Sequence, residues 1–475
     1  MTTAPVDVDT ARRDYTALVE RGLSLDITRG KPSPRQLDLS ADLLTLPNGQ
    51  YKAEDGTDTR NYGGLKGLPE LRRIFAGALQ VPVEQLFAAG NSSLELMHDT
   101  IAQAMLSTLP GAPRRWADEP RIAMLCPVPG YDRHFALAER FGIELVPVPM
   151  TETGPDMDVV ERLVAEDAAV KGIWCVPKYS NPTGVTFSAE VAGRLAAMPT
   201  AAPDFRIIWD NAYAVHHLTE DEPELADILA LCAEAGNPDR AFVFGSTSKI
   251  TFAGAGVGFF GASEANLAWW QSVLSKRTIG PDKVNQLRHA LFLKDADGVR
   301  ALMRKHAEVI APKFAAVERI LTEELSDLAT WTKPTGGYFV SLTVPEGTAK
   351  EVVRLAKEAG VALTPAGATH PHGDDPADAV IRIAPTFPEL AEVEEAVRAL
   401  AVCVGGGRPR PRRLRAARGR AARLIFAGSV PRAKCVFRSE GDLIPLPGTW
   451  PDRSRHADRP QRTQSGGEMT GFIPE

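Results

Sequence analysis

The stretch that decides the fold is FRIIWDNAY, at residues 205–213. Its first five residues form a short, mostly apolar run that stops at an aspartate, which is typical of a strand buried inside a parallel sheet. Similar runs occur at residues 121–126, 172–176 and 241–244, and they are bounded by Pro, Asn, Asp or Gly. The sequence therefore predicts four buried strands of one sheet.

Longer amphipathic segments separate these runs, for example residues 93–106 and 159–170. Short strands that alternate with helices imply βαβ crossovers and a mainly parallel sheet covered by helices on both faces. We therefore predict an α/β fold. In such sheets ligands collect at the carboxyl ends of the strands, so residues that follow the apolar runs are the first candidates for a functional site.

The pattern changes after about residue 290, which indicates a second, smaller domain. A long helical stretch with alternating charges leads to strand patterns at residues 335–342 and 379–384. We predict a large domain at residues 46–290 and a small α+β domain at residues 291–403. The segment 1–45 contains one short helix and an extended part, and we expect it to pack with the small domain or to reach across a subunit boundary.

Charge is distributed unevenly along the chain. Residues 404–475 hold 14 Arg and one Lys against six Asp and Glu, a net charge of +9, which leaves −15 for the rest because the whole chain carries −6. This Pro- and Arg-rich tail lacks sustained periodicity, and we expect it to be mostly disordered. Nucleic-acid binding is disfavoured because the tail has few aromatic residues for stacking and no recognisable binding fold.

Several other classes of protein are disfavoured as well. The N-terminus lacks a secretory signal, and no run reaches the roughly 18 apolar residues of a membrane helix, so we expect a cytoplasmic protein without a membrane partner. The cysteines have no CxxC spacing and their number is odd, which argues against a disulfide framework or a metal site. They are Cys126, Cys175, Cys232, Cys403 and Cys435.

Three motifs follow three of the predicted strands. They are SNPTG at residues 180–184, DNAY at residues 210–213 and GSTSK at residues 245–249. Lys249 comes 39 residues after Asp210, which itself comes 26 residues after Gly184. In this order the motifs are the signature of an enzyme that holds pyridoxal phosphate on a lysine, and their joint occurrence is far more specific than any one of them.

With RNYGGLKGLPELR at residues 60–72 and with Arg382, these motifs resemble the class I aminotransferases of pyridoxal-phosphate fold type I, across about residues 10–402. RGKP at residues 29–32 and KITFAGAG at residues 249–256 make the chain most similar to the actinobacterial-type subgroup of aspartate aminotransferases. The resemblance implies that the large domain holds a mainly parallel sheet of the seven-stranded type.

Five residues are predicted to hold the ring of pyridoxal phosphate. Lys249 would supply the amine that holds the cofactor and then moves protons. A buried carboxylate at a strand end, Asp210, would keep the ring nitrogen protonated, and so keep the cofactor a good electron sink. Asn181 and Tyr213 would hold the phenolic oxygen, and Tyr131 would stack on the open face of the ring. Lys249, Asp210 and Tyr213 are the predicted catalytic residues.

The phosphate is expected at the start of the helix that follows Gly90, because free backbone N–H groups and the helix dipole favour an anion. Ser92, Ser93 and Ser246 would add hydroxyl donors. By resemblance, Tyr62 would reach the phosphate of a neighbouring subunit, which implies a homodimer with shared active sites.

One family feature is missing. Relatives place an arginine about eight residues after the lysine to clamp the phosphate, but here the sequence is GAGVG at residues 254–258. Either the backbone amides of this loop bind the phosphate, or another cation does so, such as Lys31 or Arg277. The sequence leaves these alternatives open.

The substrate is predicted to bind through Arg382, which would clamp the α-carboxylate of an amino acid in bidentate fashion. Asn181 and Gly30 are further substrate-binding candidates by resemblance. A second carboxylate would need another cation, and Arg277 is predicted to supply it across the dimer. Arg29 and Lys31 are rivals for that role.

The favoured function is ping-pong transamination between L-aspartate and 2-oxoglutarate. The same motifs also fit an aromatic, alanine or 2-aminoadipate donor and a carbon–sulfur β-lyase. A non-catalytic sensor in a transcription regulator is disfavoured, because fewer than about 30 residues precede Arg29, too few for a DNA-binding helix-turn-helix module.

Overall fold

The computed structural model describes residues 8–406, so most of the predicted basic tail lies outside the described residues. The helices are α1 Val8–Glu20, α2 Pro34–Asp38, α3 Pro69–Leu79, α4 Ser93–Leu106, α5 Asp132–Arg140, α6 Met157–Glu166, α7 Ala189–Ala197, α8 Ile228–Glu234, α9 Glu264–Arg277, α10 Lys283–Leu293, α11 Ala296–Leu325, α12 Ala349–Glu358 and α13 Leu390–Gly406. The strands are β1 Leu25–Asp26, β2 Leu86–Ala89, β3 Ala123–Val128, β4 Glu144–Thr151, β5 Gly154–Pro155, β6 Val170–Cys175, β7 Arg206–Asp210, β8 Ala241–Ser246, β9 Gly258–Ala262, β10 Thr330–Trp331, β11 Val340–Thr343, β12 Val361–Ala362 and β13 Val380–Ile383.

The central sheet has the order β2-β9-β8-β7-β6-β3-β4-β5. Strands β8, β7, β6, β3 and β4 pair in parallel, whereas β9 runs antiparallel to both β8 and β2. Seven strands of four or more residues make up the sheet, and the two-residue β5 extends its edge. The predicted α/β fold and the mainly parallel sheet of the seven-stranded type are therefore confirmed.

Helices cover both faces of this sheet. Strand β7 shows why a strand in this position is apolar almost throughout. Ile207 and Trp209 enter the hydrophobic cluster formed with α3, α6, α7, α8 and α10. Ile208, between them, enters the opposite cluster with α4, α5 and α9. Successive side chains of a strand point to opposite faces, so a strand covered on both sides has no polar face.

A third cluster gathers β10, β11, β13, α12, α13 and the C-terminal half of α11. Segment 18–27 belongs to it, because Leu18 and Ile27 are buried there and β1 pairs in parallel with β12. The boundaries at residues 45/46 and 290/291 stay predictions. Helix α11 joins this cluster to the one that contains α3 without a break, since Val317 packs in the third cluster and Val299 packs in the cluster with α3.

The strand predicted at residues 335–342 is wrong in its first part, because β11 begins only at Val340. Gly336 and Gly337 instead pass closely over Tyr179. A Cβ atom on Gly336 would lie 2.2 Å from that ring, and Gly337 has a φ of +81°, which favours glycine. The two glycines therefore let the backbone cross closely over Tyr179, which packs in one small cluster with Tyr338 and Phe339.

No helix between residues 8 and 406 is both long enough and apolar enough to span a bilayer.

Candidate active site

A cavity of about 500 Å³ opens at the carboxyl ends of β6, β7 and β8, and it gathers most of the predicted site residues. Of these it is lined by Gly30, Ser93, Tyr131, Asn181, Asp210, Tyr213, Lys249 and Arg382. Arg29 and Lys31 line it too. Residues that are dispersed over more than 350 positions thus meet, because the parallel strands end at one edge of the sheet.

Lys249 lies just past the end of β8, and its side chain is partly buried at the wall of the cavity. Burial lowers the pKa of Lys249, and the negative charge of Asp210 opposes this effect. Its Nζ lies 4.9 Å from the centre of the Tyr213 ring. A lowered pKa increases the neutral fraction of the amine, which is the nucleophilic form.

Asp210 ends β7 and is almost fully buried. Its Oδ2 accepts a hydrogen bond of 3.0 Å from His134 Nε2, and His134 in turn stacks on Trp174 at 4.5 Å. Its Oδ1 is buried and has no partner among the described residues. A buried carboxylate oxygen without a partner is costly, so this atom is suited to a ligand that brings a donor such as a protonated ring nitrogen.

His134 was not predicted from the sequence. It lies in the first turn of α5, three residues after Tyr131, and it belongs to none of the motifs. The only available signal was a histidine close to a predicted site residue, which by itself indicates little. Its contact with Asp210 makes it a residue that fixes the orientation of the carboxylate.

The two predicted tyrosines are neutral hydroxyl groups at ordinary pH. Burial raises the pKa of Tyr131 to about 12, and nearby Asp210 acts in the same direction. Burial also raises the pKa of Tyr213 well above 10. Both can therefore donate hydrogen bonds to a bound group over the whole physiological range.

Arg382 lies on β13 with its guanidinium directed into the cavity. Its Nη1 donates to Asp132 Oδ1 at 3.0 Å and to Asn181 Oδ1 at 3.4 Å, and its Nη2 donates to Thr364 Oγ1 at 3.3 Å. The guanidinium also lies 5.0 Å from the centre of the Phe339 ring. Sequence reasoning missed Asp132, Thr364 and Phe339.

The start of α4 holds the predicted phosphate residues. Ser92 caps the helix by accepting a bond of 3.3 Å from the backbone N–H of Glu95, and Ser93 is nearly buried at the cavity wall. Ser246 is close to Ser248, with 3.0 Å between their hydroxyl oxygens. Ser93 lines the cavity, whereas Ser92 and Ser246 are not among its lining residues, so the phosphate-binding role of the three hydroxyl groups stays a prediction.

The loop that lacks the arginine has little room for a side chain. A Cβ atom on Gly256 would lie 2.7 Å from the carbonyl oxygen of Asn91, and one on Gly258 would lie 2.8 Å from that of Ser92. Contacts that short do not occur between real atoms, so residues 256 and 258 must be glycine as long as the backbone keeps this course. Close packing of the loop against the start of α4 therefore excludes a side chain at residues 256 and 258, while Val257, eight residues after Lys249, is buried.

Neither Arg277 nor Tyr62 lines the main cavity. Arg277 lines a smaller cavity of about 320 Å³ and pairs with Glu95 at 2.9 Å and Asp99 at 2.6 Å. Tyr62 is 80% exposed. Both residues were predicted to act across a subunit boundary, and those roles stay predictions, as does the identity of the phosphate cation.

Among residues 8–406, no three His, Cys, Asp or Glu side chains come together in a way that could hold a metal ion.

The fold and the cavity define the class of protein, an aminotransferase of pyridoxal-phosphate fold type I. The chain belongs to the aspartate aminotransferase family, because residues 2–410 match the family described as Aspartate amino-transferase. The resemblance inferred from the motifs is thereby confirmed.

Two relatives are similar over most of their length. A Mycolicibacterium smegmatis protein, whose name assigns it provisionally to the aminotransferases, is 59% identical over 397 residues, which are 82% of this chain and 93% of that protein. An aspartate aminotransferase of Corynebacterium glutamicum is 53% identical over 396 residues, which are 83% of this chain and 91% of that protein.

Solved structures agree with these relatives. A crystal structure of an aspartate transaminase from Corynebacterium glutamicum matches with a TM-score of 0.83 and 52% identity, and the match covers 84% of this chain and 95% of that one. The α-aminoadipate aminotransferase LysN of Thermus thermophilus matches with a TM-score of 0.67 at 21% identity, which shows a shared fold only.

Proposed function

We propose that this enzyme transfers the amino group of L-aspartate to 2-oxoglutarate by a ping-pong mechanism, with pyridoxal 5′-phosphate as cofactor. The observation that carries the proposal is a buried carboxylate, Asp210, whose unpartnered oxygen shares one cavity with Lys249 and Arg382. The names of the Corynebacterium glutamicum relatives support aspartate as the amino donor.

The residues of the cavity fit the proposed cofactor. Asp210 Oδ1 would accept the ring N–H, Lys249 would form the covalent link, and Tyr131 would cover the ring face. The phenolic oxygen would receive hydrogen bonds from the residues Asn181 and Tyr213, and the phosphate would receive them from Ser92, Ser93 and Ser246. When bound, the cofactor supplies an electron sink for the bonds of the substrate's α-carbon.

Proton transfer falls to Lys249. Its pKa is lowered by burial, so the neutral Nζ can remove the proton from the α-carbon of the substrate. The same Nζ can then return the proton on the side of the cofactor.

Substrate binding falls to Arg382, whose guanidinium is held by Asp132 and Thr364. An incoming α-carboxylate would compete with Asp132 for the guanidinium. Arg29 and Lys31 line the same cavity and are available for the second carboxylate, as is Arg277 if a partner subunit brings it close.

We also propose that the active unit is a cytoplasmic homodimer. The support is that Tyr62 is 80% exposed, as a residue that acts in another subunit must be, and that Arg277 lies outside the main cavity of its own chain.

The test is the absorption spectrum of the purified protein before and after addition of L-aspartate, and again after 2-oxoglutarate. We expect cofactor absorption between about 360 and 430 nm that disappears with aspartate and returns with the oxo acid. Lys249→Ala should not support this cycle. The matched control, Lys305→Ala, changes an exposed lysine on α11 and should cycle normally.

Other outcomes would revise the proposal. Bound cofactor that responds to an aromatic amino acid or 2-aminoadipate but not to aspartate would reassign the donor. Release of ammonia and a thiol from cystathionine would indicate a carbon–sulfur lyase, and a protein that binds no cofactor would overturn the proposal.

A further inference from the structure

A second cavity lies behind the active site and shares no lining residue with it. Its volume is about 970 Å³, which is within the usual range of small-molecule sites. Its walls are the C-terminal half of α3, the loop after β7, and the first four turns of α11. The loop after β7 separates the two cavities, since Ala212 and Tyr213 line the active site whereas Ala214 and Val215 line the second cavity.

The inner end of this cavity holds two polar side chains without partners. Lys178 is 9% exposed, and no hydrogen bond or ion pair involves its Nζ among residues 8–406. Asn211 is 3% exposed, and its Oδ1 is buried without a partner in the same part of the chain. Proteins rarely leave buried polar groups unpaired, so both groups indicate a ligand.

The charge of the lining restricts the chemistry of that ligand. Lys178 calls for an anionic group, and burial lowers the pKa of Lys178 while Glu222 opposes the shift. Four carboxylates and two guanidinium groups also line the cavity, those of Glu220, Glu222, Glu224, Glu308, Arg300 and Arg304. A zwitterion fits this mixed lining, because its carboxylate could bind Lys178 while its ammonium lies near the glutamates.

The remaining wall is apolar. It is formed by Ile74, Val215, Leu225, Val299 and Met303. An apolar side chain would be removed from water there, which favours binding. An aspartate or glutamate side chain would gain nothing from this wall.

We propose that the second cavity is a binding site for an α-amino acid with an apolar side chain, whose carboxylate pairs with Lys178 and whose ammonium donates to Asn211 Oδ1. The site is separate from the one that carries out the reaction. Because Asn211 follows Asp210 directly, a ligand there contacts the same loop that positions the catalytic carboxylate.

The test is isothermal titration calorimetry of the holoenzyme with L-leucine and L-phenylalanine as probes, in the presence of excess maleate. Maleate is a dicarboxylate without an amino group, so it fills the active site without reacting. We expect at least one of the two probes to bind at one site per chain under these conditions. The variants below separate binding in the second cavity from binding in the active site, whichever amino acid is the donor.

Two variants and a control identify the site. Lys178→Met should weaken probe binding by about tenfold or more, because a charged hydrogen bond is lost. Ala307→Phe should do the same by filling the outer wall while leaving Lys178 in place. Lys305→Met, on the same helix but not in the cavity, should bind like the parent enzyme.

Three outcomes would overturn the proposal. They are the absence of binding by both probes when maleate is present, equal affinity in Lys178→Met and the parent, and binding of L-aspartate at this site as tight as that of the apolar amino acids.

Discussion

Asp132 binds the guanidinium of Arg382, which the α-carboxylate of the substrate also needs. Its carboxylate accepts from Arg382 Nη1 at 3.0 Å, so an incoming α-carboxylate must share or displace this bond. Asp132→Asn should therefore lower KM for both aspartate and 2-oxoglutarate, by about threefold to tenfold, because a competing negative charge is removed. Steady-state kinetics with each substrate varied in turn measure the effect.

A suitable control is Asp158→Asn. Asp158 also lies in the first turn of a helix and pairs with an arginine, Arg194, but it is on the surface and does not line the cavity. An unchanged or increased KM in Asp132→Asn, with normal kinetics in the control, would show that Asp132 assists binding rather than competing with it.

Gly30 is a second residue whose role can be tested. A Cβ atom there would lie 2.5 Å from Phe339 Cζ, and the Phe339 ring packs beside the Arg382 guanidinium. Gly30→Ala should displace the ring toward the arginine and raise KM for both substrates, by about tenfold. Gly193→Ala, on α7 with open space around the new methyl group, should leave KM unchanged. Equal kinetics in both variants would contradict the role of Gly30.

At the scale of residues, sequence reasoning could anticipate groups that follow buried strands. Asn181, Asp210 and Lys249 come after β6, β7 and β8, so their convergence follows from the parallel sheet. Asp132, Thr364 and Phe339 could not be anticipated, because they reach Arg382 from other elements and belong to no motif. Their positions depend on tertiary packing, which a single sequence does not display.

At the scale of elements, a buried hydrogen-bond network ties α2 to α11. Gln36 Nε2 donates to His306 Nδ1 and to the hydroxyl of Tyr338, at 3.0 Å each. Tyr338 in turn donates to the carbonyl oxygen of Lys249 at 3.4 Å. The positions of α2, of α11 and of the loop that carries Lys249 therefore depend on one another.

This network predicts a pH dependence of stability. Burial lowers the pKa of His306 from 6.5 to about 4, so the unfolded chain takes up a proton before the folded one does. The stabilisation that comes from keeping His306 neutral is complete above pH 6.5. It is lost as the pH falls toward 4, and the loss in free energy of unfolding is about 3 kcal/mol at most. His306→Gln should therefore lose less thermal stability than the parent between pH 6.5 and 4.

The loss of thermal stability is measured by thermal unfolding at a series of pH values, with circular dichroism as the signal. His98→Gln is the control, because His98 is an exposed histidine on α4 and its replacement should leave the acid dependence of the parent unchanged. If His306→Gln loses stability as steeply as the parent, protonation of His306 does not contribute.

Element positions were predictable where the hydrophobic pattern was long and clear. The segment predicted at residues 93–106 is helix α4, whereas the one predicted at residues 159–170 ends at Glu166, because Val170 already belongs to β6. The pair Gly336 and Gly337 was taken as part of a strand. Their backbone course depends on the Tyr179 ring, which is 157 residues away from Gly336 in sequence.

At the scale of the whole molecule, the shared active site of the proposed homodimer can be tested by complementation. Lys249→Ala and Tyr62→Ala should each be nearly inactive alone. If Tyr62 serves the partner's site, a mixed dimer contains one site with both Lys249 and Tyr62 intact. Unfolding and refolding the two variants together should then restore up to about one quarter of the parent's activity, since half of the dimers are mixed and each has one intact site.

The control for this complementation experiment is the same two variants refolded separately and then combined. Activity that stays at the level of the separate variants, while gel filtration shows that dimers have formed, would mean that Tyr62 acts within its own chain. A Tyr62→Phe variant indicates whether the hydroxyl group or the ring is needed.

The parallel pairing of β1 with β12 has a consequence for protein synthesis. Leu25 lies opposite Val361, so the first strand leaves the ribosome about 340 residues before its partner. At about 5–20 residues per second, that interval lasts roughly 17–70 s. The strands of the central sheet, which end at Ala262, can all be translated within it. Until about three quarters of the chain has been translated, Leu18 and Ile27 therefore lack the partners that bury them, and this makes the N-terminal segment dependent on protection by chaperones.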